Sequence, residues 1–313
     1  MLNEPLQGNR NAEPAGETAA QILPVRSRDI AIPTPDGFPL AGTLFEGAGA
    51  GPLVLVSGAT AVPRQLYAAF AKALIEAGAR AALIYDYRGV GGSRRPADWP
   101  RRIDYKDWAL VDMPAAAATL DTVAPGHSMV GVGQSFGGQA LGVSGIAGRF
   151  ERYGMVATMS GYYRLLDDRT VWARMNLVGV PVSLFFRDIP RWLGIGEPMP
   201  SSCFRDWARW CRHPDYFFGD PDLPETARFA SVTTPILAIG LTDDPWGNPR
   251  AVGEFMKHYE NATVETRWLS PGEANGQAIG RLGYFRSRFA GTLWPQFIAW
   301  LLEGRHMTLG QTG

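Results

Sequence analysis

Short apolar runs alternate along this chain with stretches of helical periodicity. Residues 29–36, DIAIPTPD, alternate apolar and polar side chains, and Asp36-Gly37 marks a turn. PLAGTLFEG then reads as a second strand, so the two predict an antiparallel hairpin. PLVLVSG at 52–58 is a continuous apolar run ending in glycine, the pattern of a strand buried on both faces. Residues 64–77, RQLYAAFAKALIEA, carry apolar side chains at helical spacing and stop at Gly78. ARAALIYDYRG predicts the next buried strand and YKDWALVDMPAAAATLDTV a helix, with Pro114 as a kink or boundary. SMVGVGQS reads as a strand, FGGQALGVSGI as the start of a helix and YGMVATMSG as another strand. The alternation then breaks. Residues 162–226 are rich in Trp, Tyr, Phe, Arg and Pro without a clear strand, which predicts an inserted helical cap. It resumes with TPILAIG (strand), RAVGEFMKHY (helix), ATVETRWLS (strand) and LWPQFIAWLLEG (helix).

Strands alternating with helices predict an α/β fold with a mostly parallel central sheet and helices on both faces. The expected organisation is a mobile N-terminal arm at 1–27, one domain at 28–302 with the cap at about 162–226, and a tail at 303–313. Ligands of such sheets sit beyond the carboxyl ends of the strands, so residues that directly follow strands are the candidates for chemistry.

Composition narrows the function classes. Lysine plus arginine equals aspartate plus glutamate, 30 against 30, so no net charge points to nucleic acid, although local patches stay possible. The two cysteines imply neither a disulfide framework nor a zinc site. There is no metal-spaced His/Cys cluster and no phosphate-binding glycine loop, so neither a metal nor a cofactor is expected. The polar first residues do not resemble a signal peptide, and the longest apolar stretch, 177–186, is too short to span a bilayer. The expectation is a cytoplasmic protein with a small-molecule ligand, for which a homo-oligomer is also possible.

Gly133-Gln134-Ser135-Phe136-Gly137 fits G-x-S-x-G between an expected strand and an expected helix. Small flanking residues allow a sharp turn with a serine nucleophile at its tip. The Phe136 amide would then face an oxyanion from the helix N-terminus. The alternative is a glycine-rich close contact without chemistry. The strand ending Ser57-Gly58-Ala59-Thr60 offers a second amide, Ala59 or else Thr60, and could equally be a plain turn. TPILAIGLTDDP supplies an acid after a later strand. Counting from Pro235 favours Asp244, with Asp243 as second choice, and both could instead cap the next helix. DYRGVGGS reads as structural, with Arg88 bracing its loop.

LYAAFAKAL, IYDYRGVGGS, DWALVDMPAA, GYYR, LGIGEPMP, FRDWARWCRHPDYF, TDDP and LGYFRSRFAGTLW recur in this order in a group of bacterial α/β-hydrolases of the serine aminopeptidase-like kind. The chain resembles that group from about residue 28 to 302, most specifically in WARWCRHPDYF. The resemblance implies an α/β-hydrolase fold, and a catalytic histidine in a segment like I-G-H-x-G-F-F-R. This chain reads Ile279-Gly280-Arg281-Leu282-Gly283-Tyr284-Phe285-Arg286, with Arg281 where histidine belongs. Arginine has no lone pair to accept a serine proton near neutral pH.

None of the four histidines replaces it readily. His127 precedes Ser135 by eight residues, about 26 Å along a strand at ~3.3 Å per residue, at the wrong end of the sheet. His258 falls beside the apolar face of its helix and reads as solvated, and His306 lies in the polar tail. His213, in the cap, is the second-choice base. Arg281 beside Asp244 predicts a charge-assisted pair that would hold the site without activating Ser135. The cap aromatics, among them Trp172, Trp207 and Trp210, imply an apolar acyl or aromatic ligand, or simply fill the cap's own core. Three functions are compatible with this sequence. One is a slow serine acyl or ester hydrolase. Another is a non-catalytic binder or sensor of an apolar acid, as in hydrolase-like receptors that lost the same histidine. The third is a lyase or cyclase using the oxyanion hole.

Overall fold

The computed structural model describes residues 25–194 and 196–306. The outer N-terminal residues and the last seven lie outside that range, as does most of the arm expected at 1–27. Eight strands form one sheet in the order β1-β2-β4-β3-β5-β6-β7-β8. They are β1 (Arg26–Pro33), β2 (Pro39–Glu46), β3 (Leu53–Ser57), β4 (Ala81–Tyr85), β5 (Met129–Gln134), β6 (Tyr153–Val156), β7 (Ile236–Leu241) and β8 (Val264–Leu269). The first two form the expected hairpin, paired from Arg26↔Glu46 to Pro33↔Pro39, and its turn has Gly37 at φ +81°. β2 pairs antiparallel with β4, and every pairing from β4 to β8 is parallel.

The continuous apolar strands are buried on both faces because helices cover both. Along β3, Val54 and Val56 pack with Phe70, Leu74, Trp294 and Phe297, which belong to α1 (Ala68–Glu76) and α8 (Trp294–Glu303). Leu53 and Leu55 point the other way, into a core shared with α2 (Met113–Asp121), α3 (Phe136–Ser144) and α7 (Pro249–Met256). The period-two alternation of a strand thus feeds two separate cores.

Two expected helices start differently. Arg64–Tyr67 is a tight turn before α1, because the Asp86 carboxylate accepts the Arg64 amide at 2.6 Å. The helix expected through Trp108 opens as a wide π-type turn, Trp108–Asp112, and becomes α-helical at Met113. Pro114 then sits at the junction, the second residue of α2. Asp112 is buried and accepts the Arg88 amide at 2.9 Å and its Nε at 2.6 Å, while Arg88 Nη1 reaches Asp36 at 2.8 Å. Arg88 therefore ties the loop after β4 to α2 and to the hairpin turn.

Between β6 and β7 the chain leaves the sheet. It forms α4 (Val171–Ala173), a wide turn at Arg174–Gly179, α5 (Val180–Phe185) and α6 (Ser201–Arg212). The first three run on as one helical stretch. Among the described residues the extended pairing in this excursion is a single bridge, Asp188↔Pro200.

Candidate functional site

Ser135 sits at the tip between β5 and α3 with φ +50° and ψ −111°, a conformation that costs energy in a residue with a Cβ. Its neighbours make that turn possible. A Cβ on Gly133 would lie 2.3 Å from the Gly137 carbonyl carbon, and one on Gly137 would lie 2.0 Å from the Ser57 oxygen. The Ser135 amide donates to Val156 O at 2.9 Å, and its carbonyl accepts from Gly138 and Gln139. Phe136 begins the helix, so its amide has no partner within the helix and faces the turn beside Ser135. Its ring is held by stacking on Tyr105, centroids 4.4 Å apart.

A cavity of about 320 Å³ opens above Ser135. Ala59, Thr60, Ser135 and Arg281 line its floor, and its walls include Met175, Phe204, Trp207 and Trp246. The Ala59 amide, expected to serve an oxyanion, donates instead to the Tyr67 hydroxyl at 2.8 Å, and Tyr67 donates on to Gln134 Oε1 at 2.6 Å. In this structure the Ala59 amide is engaged by Tyr67. Among the described residues the neighbouring Thr60 amide has no protein acceptor.

Arg281 reaches Ser135 directly: its Nη2 donates to Ser135 Oγ at 3.0 Å. The guanidinium lies over the Trp246 ring, 4.6 Å from the centroid, and touches Met159 Sδ. The expected pairing with Asp244 is looser than a hydrogen bond. Arg281 Nη1 stops 3.9 Å from Asp244 Oδ2, and each of these two buried atoms lacks a hydrogen-bond partner. Asp244 Oδ1 accepts the Trp246 amide at 2.9 Å, which fixes the carboxylate at the end of β7. Burial pulls the Arg281 pKa below its ordinary value, and Asp244 opposes that pull. The group stays cationic at neutral pH because a guanidinium does not deprotonate in a protein.

The backbone at Arg281 is pinned from two sides. Asp243 accepts the amides of Ile279 at 2.7 Å and Gly280 at 3.0 Å. Gln134 Nε2 donates to the Arg281 carbonyl at 2.8 Å. The second-choice acid thus holds the loop that presents Arg281.

The histidines are elsewhere, and none lines the cavity among the described residues. His213 follows α6, half exposed, and accepts the Asp215 amide at Nδ1. His258, expected to be solvated, stacks on Phe218 with centroids 3.4 Å apart. His127 lines a shallow depression with Asp121 and Arg149, and His306 is exposed. Trp246 and Met159 were not singled out from the sequence. Trp246 stands two residues after Asp244, a position that could have marked it as a neighbour of the acid.

Residues 53–278 match the model of the alpha/beta hydrolase family. The chain belongs to that family. The match covers most of the sheet and ends just before Arg281. Solved structures agree on the fold. An esterase of Pyrococcus furiosus superposes with a TM-score of 0.52 at 18 % identity, over 90 % of this chain and 99 % of that one. A hydrolase from Pseudomonas aeruginosa gives 0.53 at 18 % identity, over 84 % and 96 %. A Xanthomonas campestris serine hydrolase described as lacking a lid gives 0.51 at 16 % identity, over 90 % and 97 %. No curated protein matches the chain. Among the described residues of this alpha/beta hydrolase, no helix is long and apolar enough to cross a membrane, and no cluster of side chains could hold a metal ion.

Proposed function

We propose that this alpha/beta hydrolase is a slow acyl or ester hydrolase for an apolar small molecule, with Ser135 as nucleophile. The observation that carries the reading is the contact of Arg281 Nη2 with Ser135 Oγ at 3.0 Å on the floor of an apolar cavity. In this reading Ser135 Oγ attacks an acyl carbon and its proton passes to water, since Arg281, the side chain in contact with the hydroxyl, cannot accept it. The carbonyl oxygen becomes an oxyanion held by the amides of Phe136 and Thr60. The C–O bond of the ester breaks, the alcohol leaves with a proton from water, and a second water hydrolyses the acyl-serine. Arg281 stabilises the negative charge that develops on Ser135 Oγ but removes no proton. Loss of a triad histidine costs on the order of 10⁴- to 10⁶-fold in kcat. An oxyanion site and a pocket retain roughly 10³-fold over water. The helical excursion between β6 and β7 acts as the cap that walls the cavity. A cytoplasmic location suits the two unbridged, buried cysteines, Cys203 and Cys211.

A second reading, a binder of an apolar carboxylic acid without turnover, is favoured by the same cation. Arg281 would neutralise the acid while Trp207, Trp246 and Phe204 enclose the apolar part. A fluorophosphonate probe separates the two. Labelling of the native chain that disappears in Ser135→Ala supports the hydrolase. No labelling of the native chain, with labelling gained in Arg281→His, supports the binder. If neither the native chain nor Arg281→His reacts, the role given to Arg281 is wrong.

A further inference from the structure

The helical stretch from Val171 to Phe185 is built inside out. Its inward positions are Val171, Met175, Gly179 and Ser183, two of them small, and Gly179 lets the ring of Phe204 on α6 approach so closely that a Cβ would meet it at 2.4 Å. The large apolar side chains point to solvent. Phe185 is 85 % exposed, Leu184 68 % and Leu177 64 %, and Trp192 on the next turn is 68 % exposed. Among the described residues, every exposed large apolar side chain lies between Trp172 and Trp192 except Leu282, which neighbours Arg281. A surface helix ordinarily hides its apolar stripe in the core, and a contiguous apolar patch on the outside marks a surface that is covered by something else.

We infer that this face docks on an anionic lipid surface, and that the cavity over Ser135 opens toward it. The charge around the patch favours that occupant. Arg174 and Arg191 are held in ion pairs with Asp168 and Glu197, which leaves Arg169 and Arg187 exposed against one exposed acid, Asp188, between positions 169 and 194. Apolar and tryptophan side chains ringed by arginine are what an interfacial helix presents to headgroups and upper acyl chains. A second copy fits less well, because a two-fold contact through this patch would bring the unpaired Arg169 and Arg187 of both copies into one seam. The patch is continuous with the cavity: Arg174, Val178 and Leu282 belong to the rim of the patch and also line the cavity. An apolar ligand could pass from the lipid phase to the site without crossing water. The docking itself does not depend on the chemistry at Ser135.

Flotation of the full chain with vesicles tests this, using phosphatidylcholine alone and equal parts phosphatidylcholine and phosphatidylglycerol. The chain is expected to float with the anionic vesicles, and high salt is expected to release it. The triple variant Leu184→Ser/Phe185→Ser/Trp192→Ser changes only exposed side chains and should stay in solution with an unchanged thermal midpoint. Arg169→Gln/Arg187→Gln should weaken binding by roughly fivefold per arginine. Ser135→Ala should float like the native chain, whichever chemistry the site performs. The inference is overturned by failure to float with anionic vesicles, by equal binding to both vesicle types, or by undiminished binding of the triple variant. A native dimer that the triple variant converts to monomer, without flotation, would assign the patch to a second copy instead.

Discussion

Arg281 Nη2 donates to Ser135 Oγ, while Arg281 Nη1 stops 3.9 Å short of Asp244 Oδ2. The guanidinium therefore bridges a serine and a buried acid without satisfying the acid. Asp244 Oδ2 has no donor, and the loop that presents residue 281 is pinned by Asp243 and Gln134 rather than by the arginine itself. An imidazole at 281 would meet an acceptor on one side and a hydroxyl on the other. We expect Arg281→His to raise fluorophosphonate labelling and turnover of a p-nitrophenyl ester by roughly 10²- to 10⁴-fold, the usual range for a positioned general base. Rates unchanged from the native chain, in a variant with a native thermal midpoint, would contradict this.

The cation should also be the part of the site that senses an acid. Arg281→Met keeps an apolar stem over Trp246 and removes the charge. Titration calorimetry with decanoate should then show affinity weakened by about 10- to 100-fold, the worth of one hydrogen bond to a charged group. Decanol should bind the native chain and the variant alike. Equal binding of decanoate and decanol to the native chain would remove the anion role from Arg281.

Much of this geometry is legible in the sequence, for physical reasons that differ by element. β3, β4 and β5 are continuous apolar runs because both their faces are covered, and such runs need no partner to be recognised. The turn at Ser135 is legible because glycine is demanded at 133 and 137, where a Cβ would meet neighbouring backbone at 2.3 and 2.0 Å. The expectation at Arg281 rests on the family resemblance, and counting along the β7 segment favours Asp244, which lies 3.9 Å from Arg281. The engagement of the Ala59 amide was not legible, since its acceptor, Tyr67, comes from a different element. Nor could periodicity say that the helical stretch at 171–185 turns its large residues outward. An apolar repeat gives a face but not the side on which the core lies. His258 misled for the mirror reason: Phe218, its stacking partner, is forty residues away in the excursion.

Asp243 should matter through the loop and not through chemistry. Its carboxylate takes the amides of Ile279 and Gly280, and Asp243→Ala leaves both without their acceptor. Each unsatisfied donor costs about 1–3 kcal/mol when buried. For a chain of this size we expect the midpoint of thermal unfolding to fall by roughly 2–10 °C. The sharper test is the double variant Asp243→Ala/Arg281→His, in which the labelling gained by Arg281→His should be largely lost at a temperature where the variant remains folded. Retention of the full gain would show that Asp243 does not position residue 281.

Asp112 should make stability fall as pH rises. Burial pushes its carboxyl up to about 7, against the opposing pull of Arg88, from an unfolded value of 3.8. The folded state then holds a proton that the unfolded state has released between about pH 4 and 7, so this group's contribution is complete below pH 4 and is lost as pH climbs through 7. Burial of Asp107 and Asp206 raises their pKa values and acts in the same sense. Burial lowers the pKa of His258 and acts in the opposite sense near its own titration. The readout is therefore a difference. Denaturant midpoints measured from pH 4 to 8 should decline more steeply for the native chain than for Asp112→Asn, whose amide keeps the shape and cannot ionise. Parallel curves for the two would mean that Asp112 stays ionised beside Arg88 throughout, held by the hydrogen bonds that Arg88 donates to it.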